Sequence, residues 1–308
     1  PELKVLTWNV GLLRYRLCGA VEVFSNPPFS EHRLKLIPDA ILSANADIVC
    51  LQECYEKGHW KRIVDATQHV YPHSARVNSG GLVRFHNGLN ILSRYPVRSA
   101  KLTFYRRAAA LEKALATKSQ LEVVVDVPGV GAVFILNVHT TAGGTVDPEN
   151  PGTDAVREDE LHQGLVAANA ALARGEPALL VGDFNMAPTA SKGNLDFVLG
   201  RGWRDAYAEA KAKNCVQGAT NFTWDPANYL NLIGPHKTSP GQRCDHLFLP
   251  TPAAPDALPG GAARPGSTWA VRKVEMLFTD KVVPIPNVRE LSTLSDHHGL
   301  LFTLSTAS

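Results

Sequence analysis

The chain has 308 residues, 44% hydrophobic and 19% charged, a globular composition with enough apolar material for a large core. Thirty-one Lys and Arg against 29 Asp and Glu leave a formal charge of +2, so bulk electrostatics argue for neither a nucleic-acid binder nor an anionic-membrane binder, and any basic surface must be local. No apolar run reaches the roughly 18 residues a bilayer span needs.

The chain is expected to be soluble, with secreted and cytoplasmic locations both open, because the lack of a signal-peptide pattern before Pro1 does not fix a compartment. Cys18, Cys50, Cys54, Cys215 and Cys244 are scattered without zinc-site spacing. They read as free thiols, with one disulfide left open.

Short β-rich apolar runs recur along the chain: Leu3 to Trp8, Ile48 to Leu51, Leu89 to Leu92, Leu121 to Val127, Val133 to Val138, Ala178 to Val181, Cys244 to Leu249, Trp269 to Phe278 and Leu300 to Leu304. Helical spacing marks Glu31 to Ala44, with Leu34, Ile37, Ile41 and Leu42 on one face, and an Ala- and Leu-rich stretch from Asp154 to Arg174. Pro128, Gly129 and Gly131 join two of the strands as a hairpin, which argues against a purely parallel sheet. The expectation is a single mixed α/β sandwich domain over residues 1–308, and the Pro-, Ala- and Gly-dense segment Pro250 to Gly266 reads as a loop.

The polar residues carry the functional signal, because each apolar strand runs into a group suited to metal or phosphate chemistry. Leu3 to Trp8 leads to Asn9, Ile48 to Leu51 to Gln52 and Glu53, Ile135 to Val138 to His139, and Leu179 to Val181 to Asp183 and Asn185. Ser295, Asp296, His297 and His298 precede the last strand. Taken singly, each has an ordinary alternative: a turn Asn, a solvated Glu, a tight turn at Gly182, a core histidine. Strand ends on one sheet edge converge in space, so together they can build one site.

The order and wording of these segments resemble the endonuclease/exonuclease/phosphatase family. The segments are Thr7-Trp8-Asn9, Leu51-Gln52-Glu53, Gly88 to Pro96, Asn137-Val138-His139, Gly182-Asp183-Phe184-Asn185, Asp245-His246-Leu247-Phe248 and Ser295-Asp296-His297. The resemblance implies a four-layered α/β sandwich with two mixed, largely antiparallel sheets flanked by helices. It also implies hydrolysis of a phosphate ester by in-line attack of activated water, with Mg²⁺ as cofactor and Mn²⁺ or Co²⁺ as alternatives.

By the same resemblance Glu53 is the principal metal ligand, with Asn9 and Asp296 in the metal shell. His297 is the general base, Asp245 orients it, Asp183 and Asn185 position the water and the phosphate, and His139 donates to a phosphoryl oxygen. His298, facing the opposite way in an extended segment, is set aside.

The catalytic set leaves the substrate open. Thr223-Trp224-Asp225-Pro226-Ala227-Asn228 is similar to a stretch in neutral and bacterial sphingomyelinases, which implies a phospholipid phosphodiesterase working at a membrane surface. The insertion Gly11 to Ser30, with Leu12, Leu13, Phe24, Pro27, Pro28 and Phe29, is read as an apolar loop that either touches lipid or packs on the sandwich. Arg157, after the loop Thr141 to Pro151, either reaches phosphate or sits on the helix surface, the second being preferred. A nuclease, or an inositol-phosphate phosphatase, is the alternative. Arg84, Arg94, Arg98, Lys101, Arg106 and Arg107 form a loose basic stretch, by default a solvated face.

Overall fold

The computed structural model describes residues 1–17, 21–78, 86–107, 118–143, 151–234, 237–252, 269–287 and 289–306. Two sheets stack face to face. One has seven strands in the order Val216–Gln217, Trp269–Leu277, Gly299–Thr306, Glu2–Asn9, Ile48–Gln52, Asn90–Ser93, His73–Ala75. The other has six, in the order Trp203–Asp205, Asp245–Pro250, Ala178–Asp183, Gly131–His139, Ser119–Val127, Val97–Phe104. Most neighbours are antiparallel, but each sheet carries a parallel pair at its centre: Glu2–Asn9 with Ile48–Gln52, and Gly131–His139 with Ala178–Asp183. Parallel neighbours end on the same edge, so Asn9 stands beside Gln52 in one sheet and His139 beside Asp183 in the other.

Strand alternation divides the residues among layers. Leu3 and Val5, Ile48 and Cys50, Val133 and Ile135, and Leu179 and Val181 meet in a core between the sheets. Leu6, Trp8, Val49 and Leu51 face outward onto Ile37, Ile41, Trp60 and Ile63, which belong to the helices Ile37–Ala44 and Lys57–Thr67. On the far side Phe134, Leu136, Val138 and Leu180 face Leu161, Leu165 and Val198 from the helices Pro151–Ala173 and Lys192–Leu199. Helix, sheet, sheet and helix make the four expected layers.

The same alternation turns the space between the sheets from apolar to polar toward one edge. Thr7, Gln52 and Asn137 follow the apolar residues on the inner faces. Gln52 Nε2 donates to Asn137 Oδ1 at 2.8 Å and to Thr7 Oγ1 at 3.2 Å, and Asn137 Nδ2 donates to the Leu51 and Asn90 carbonyls. All three side chains are fully buried, so this layer ties the sheets together with its hydrogen-bonding capacity met. Asn9, Glu53, His139 and Asp183 lie one step further out.

Gly182 precedes Asp183 with φ 140°. A Cβ there would fall well inside contact with the Val138 backbone of the paired strand. Gly182→Ala is expected to lower Tm by about 5 °C or more, because backbone cannot move aside as a side-chain tip can; an unchanged thermal melt would contradict the close approach.

The structure corrects the sequence expectations at four places. The helix expected from Glu31 to Ala44 is two, Ser30–Leu34 and Ile37–Ala44, because Pro38 in the first turn of the second cannot continue the first. The segment Gly11 to Ser30 contains a hairpin, Leu13–Leu17 with Val21–Asn26; Leu12 and Pro27 are buried and Phe24 is half exposed. Arg14 anchors it through a two-bond contact with Glu56 at 2.7 and 2.6 Å. The strand expected from Cys244 starts at Asp245.

The fourth correction is Arg157, which is wholly buried. It donates to the Thr141 and Gly143 carbonyls, Asp154 and Asn194, tying the loop after His139 to the helix Pro151–Ala173. Cys50, Cys54, Cys215 and Cys244 are free thiols, while Cys18, Arg84 and the stretches 144–150 and 253–268 lie outside the described residues.

Candidate active site

At the polar edge, Asn9 Nδ2 donates to Glu53 Oε1 at 3.0 Å and to Asp183 Oδ2 at 2.9 Å, joining carboxylates from the two sheets. Its own Oδ1 accepts the Gly11 N–H at 3.0 Å. Glu53 follows its strand with φ 57°, a left-handed conformation costing roughly 1–2 kcal/mol for a residue with a Cβ. Its carboxylate is 19% exposed, at the mouth of the cleft. Burial and the nearby Asp296 carboxylate push the Glu53 pKa up to about 7, against the Asn9 hydrogen bond.

His297 reaches the same place from the other end of the chain. Its Nδ1 donates to Asp245 Oδ2 at 2.9 Å, and its Nε2 lies 3.9 Å from Asp183 Oδ2. The first bond crosses between the sheets: His297 precedes Gly299–Thr306, and Asp245 opens its strand paired with Asp183. Burial opposes a charge on this imidazole, but Asp245, Asp183 and Asp296 outweigh it and hold the pKa well above the ordinary histidine value. Atoms of Asp183, Asp245 and His297 lie within 4.8 Å of one another.

The loop carrying His297 is held on every side. Ser295 Oγ donates to the Asn9 carbonyl at 2.7 Å, Trp8 Nε1 donates to the His297 carbonyl at 3.1 Å, and His298 N donates to the Thr223 carbonyl at 2.7 Å. Asn228 Nδ2 donates to the Ser295 carbonyl and Asn231 Nδ2 to the Asp296 carbonyl. The Thr223 to Asn228 segment is therefore a cradle for the Ser-Asp-His loop. Asp296 turns the other way from His297, toward Gly11, where a Cβ would stand 2.5 Å from its Oδ1. His298 faces away and donates to the Phe278 carbonyl at 3.3 Å.

His139 Nε2 stands 3.8 Å from Glu53 Oε1 and 3.7 Å from Asp183 Oδ2. Burial, with the nearby Lys118 cation, lowers its pKa to about 3, so it is a neutral N–H donor facing two carboxylates, not an ion-pair partner. Asn185, with φ 45°, accepts nothing from these groups. Its N–H donates to Asp183 Oδ1 and its Nδ2 to the Thr140 carbonyl, each at 2.9 Å. All eight residues picked from the sequence thus come to one edge, with Asn185 turned toward Thr140.

Arg33 escaped the sequence reading. It is completely buried in the helix Ser30–Leu34 and donates to the carbonyls of Val10, Gly11, Pro27, Pro28 and Leu294. These join the segment after Asn9 to the one before Ser295. An arginine in a short polar stretch gives no local sign of such a role. Glu160, also buried, accepts from the Thr141 N–H and Oγ1 at 2.7 Å each, fixing the backbone just beyond His139.

Glu53, Asp183 and Asp296 crowd three carboxylates around one cleft, beside the Asn9 amide, the His297 imidazole and neutral His139. Such a set of carboxylate oxygens fits a hard divalent ion.

The sequence model of the Endonuclease/Exonuclease/phosphatase family matches residues 6–297, and the chain belongs to this family of phosphoesterases. Among solved structures, sphingomyelinase C from Streptomyces griseocarneus is 19% identical with TM-score 0.72, each chain covered in full. A Staphylococcus aureus beta toxin variant with bound magnesium ions is 16% identical with TM-score 0.71, again over 100% of both chains. TDP2 from C. elegans is 18% identical with TM-score 0.66, covering 98% of this chain and 75% of that one. These likenesses establish the shared fold. No curated protein sequence matches this chain. No described helix is long and apolar enough to cross a membrane.

Proposed function

We propose that the chain is a divalent-cation-dependent phosphodiesterase that cleaves a phospholipid of the sphingomyelin type, releasing its phosphorylated headgroup by in-line attack of water. The observation carrying this is the Asp245–His297 hydrogen bond at 2.9 Å, which aims His297 Nε2 at the cluster of Asp183, Asn9 and Glu53.

Glu53, Asn9 and Asp296 would hold the metal, Mg²⁺ being preferred because it favours oxygen ligands. Bound there, the cation would neutralise charge on the phosphate and offset the carboxylates that raise the His297 pKa. His297 Nε2 then takes the proton from the attacking water, while Asp245 fixes the tautomer and stabilises the imidazolium. Asp183 and Asn185 position the water and the phosphate. Neutral His139 donates its N–H to a phosphoryl oxygen as charge grows on it.

Two features favour lipid over nucleic acid as substrate: the Thr223 to Asn228 segment, whose sequence is similar to a stretch in sphingomyelinases, and the state of the basic stretch. Arg98 pairs with Asp126 and Lys101 with Glu122, on an edge strand whose face is a solvated surface. The test is hydrolysis of sphingomyelin, lysophospholipid, phosphoinositide and DNA in parallel, with and without EDTA. EDTA-sensitive sphingomyelin turnover is expected; cleavage of DNA alone would overturn the lipid assignment in favour of a nuclease.

Glu53→Gln is expected to weaken Mg²⁺ binding by about tenfold or more, since a neutral amide replaces a charged oxygen ligand. With the carboxyl near pKa 7, a proton competes with the cation below neutrality, so wild-type affinity should rise from pH 6 to pH 8 and binding should release protons. Calorimetric titration in two buffers reads both. A flat pH response, or an unchanged titration in the variant, removes Glu53 from the ligand set.

A further inference from the structure

Behind Glu53, the helix Lys57–Thr67 and the segment 74–78 border a cavity of about 670 Å³. Tyr55 forms the wall toward the cleft, its ring packed where a Cβ on Gly88 would lie 2.9 Å from Tyr55 Cε1 and 3.2 Å from the Glu53 Cα. The described lining residues include three cations, Lys57, Lys61 and Arg76, and no carboxylate.

Arg76 is fixed by neutral acceptors: Nη1 donates to the Cys54 carbonyl and to Asn90 Oδ1, each at 2.9 Å, and Nη2 to the Tyr55 carbonyl at 2.6 Å. Its charge is oriented without being cancelled. His86 adds no negative charge: its Nε2 donates to the Val77 carbonyl at 2.8 Å and its Nδ1 accepts the Gly88 N–H. Lys57 and Lys61 stand one helical turn apart, a like-charge spacing that disfavours the helix. Lys61 also meets Asp65, but that pair is exposed and solvent-screened. Trp60, Val64 and Tyr55 supply apolar wall, and Ser74 and Asn78 polar donors.

Three cations lining a cavity with an apolar wall match a group with several charged oxygens attached to an organic body. We propose that this cavity is a second anion site, separate from the catalytic cleft, which binds a phosphomonoester dianion through Lys57, Lys61 and Arg76. The dianion is supplied either by a soluble phosphate ester or by the headgroup of an anionic lipid such as phosphatidic acid.

Calorimetric titration of inorganic phosphate and glycerol 3-phosphate, with EDTA present, tests the site without depending on turnover. Wild type and His297→Ala should bind both saturably. Lys57→Gln/Lys61→Gln, confirmed folded by circular dichroism, should bind at least about tenfold more weakly. Equal affinity in the double variant, or no saturable binding by wild type, would overturn the proposal. Flotation with neutral vesicles carrying or lacking phosphatidic acid assigns the source. A preference for phosphatidic acid that disappears in the double variant supports the site as one for lipid headgroups. Lys-dependent binding of the soluble esters without that preference supports it as one for soluble phosphate. Catalytic failure of the chain would leave these results unaffected.

Discussion

Replacing His297 by Ala is expected to lower kcat at least about a hundredfold while leaving the fold intact, because no other imidazole among the described residues is placed to take its proton. His139 points at Glu53 and Asp183 and is held neutral with a pKa near 3, too weak a base for the task. His298 faces the Phe278 carbonyl. The main-chain anchors around the loop, from Ser295, Asn228, Asn231 and Trp8, survive the substitution, so circular dichroism should be unchanged. Turnover above about one hundredth of wild type would give the base role to another group.

Asp245→Asn should be nearly as damaging despite being nearly isosteric. The carboxylate accepts from Nδ1 and leaves Nε2 able to accept a proton. An amide can present its own N–H to Nδ1 and favour the opposite tautomer, and it cannot stabilise the imidazolium. A kcat loss of about 10²–10⁴ is expected on the precedent of triad carboxylates. Asp245 is fully buried, so a folded variant must be verified first. Near-normal kcat in folded protein would break the proposed pairing.

Much of this site was legible because apolar strands end in polar residues that one sheet edge gathers, with the roles supplied by the family resemblance. In the structure strand alternation accounts for it: Leu3 and Val5 face inward, so Asn9 does too, and the same counting carries Ile135 to His139 and Val181 to Asp183. The four-layer class came through the family resemblance, and the structure gives its physical reason: strands buried on both faces, such as Glu2–Asn9, need cover on each side. What stayed hidden depends on partners remote in sequence. Arg33 bonds to Leu294, 261 positions away, and its charge pointed to the surface, as did that of Arg157.

The hairpin after Gly11 was passed over for a different reason: its strands alternate apolar and polar residues, as in Leu13-Arg14-Tyr15-Arg16-Leu17, but the apolar members on their own read as a loop; Arg14 holds it to Glu56. The helix Lys57–Thr67 passed unnoticed because only His59, Trp60, Ile63 and Thr67 are buried along its eleven residues.

The donor atoms are divided between the two sheets: Asn9, Glu53 and His297 hang from one, His139, Asp183 and Asp245 from the other. Neither half is a partial catalyst, and a ligand held from both sides recognises only the docked pair. Its affinity therefore gauges how firmly the halves are closed on each other, so slippage at the Gln52–Asn137 contact would weaken binding before any catalytic side chain had changed.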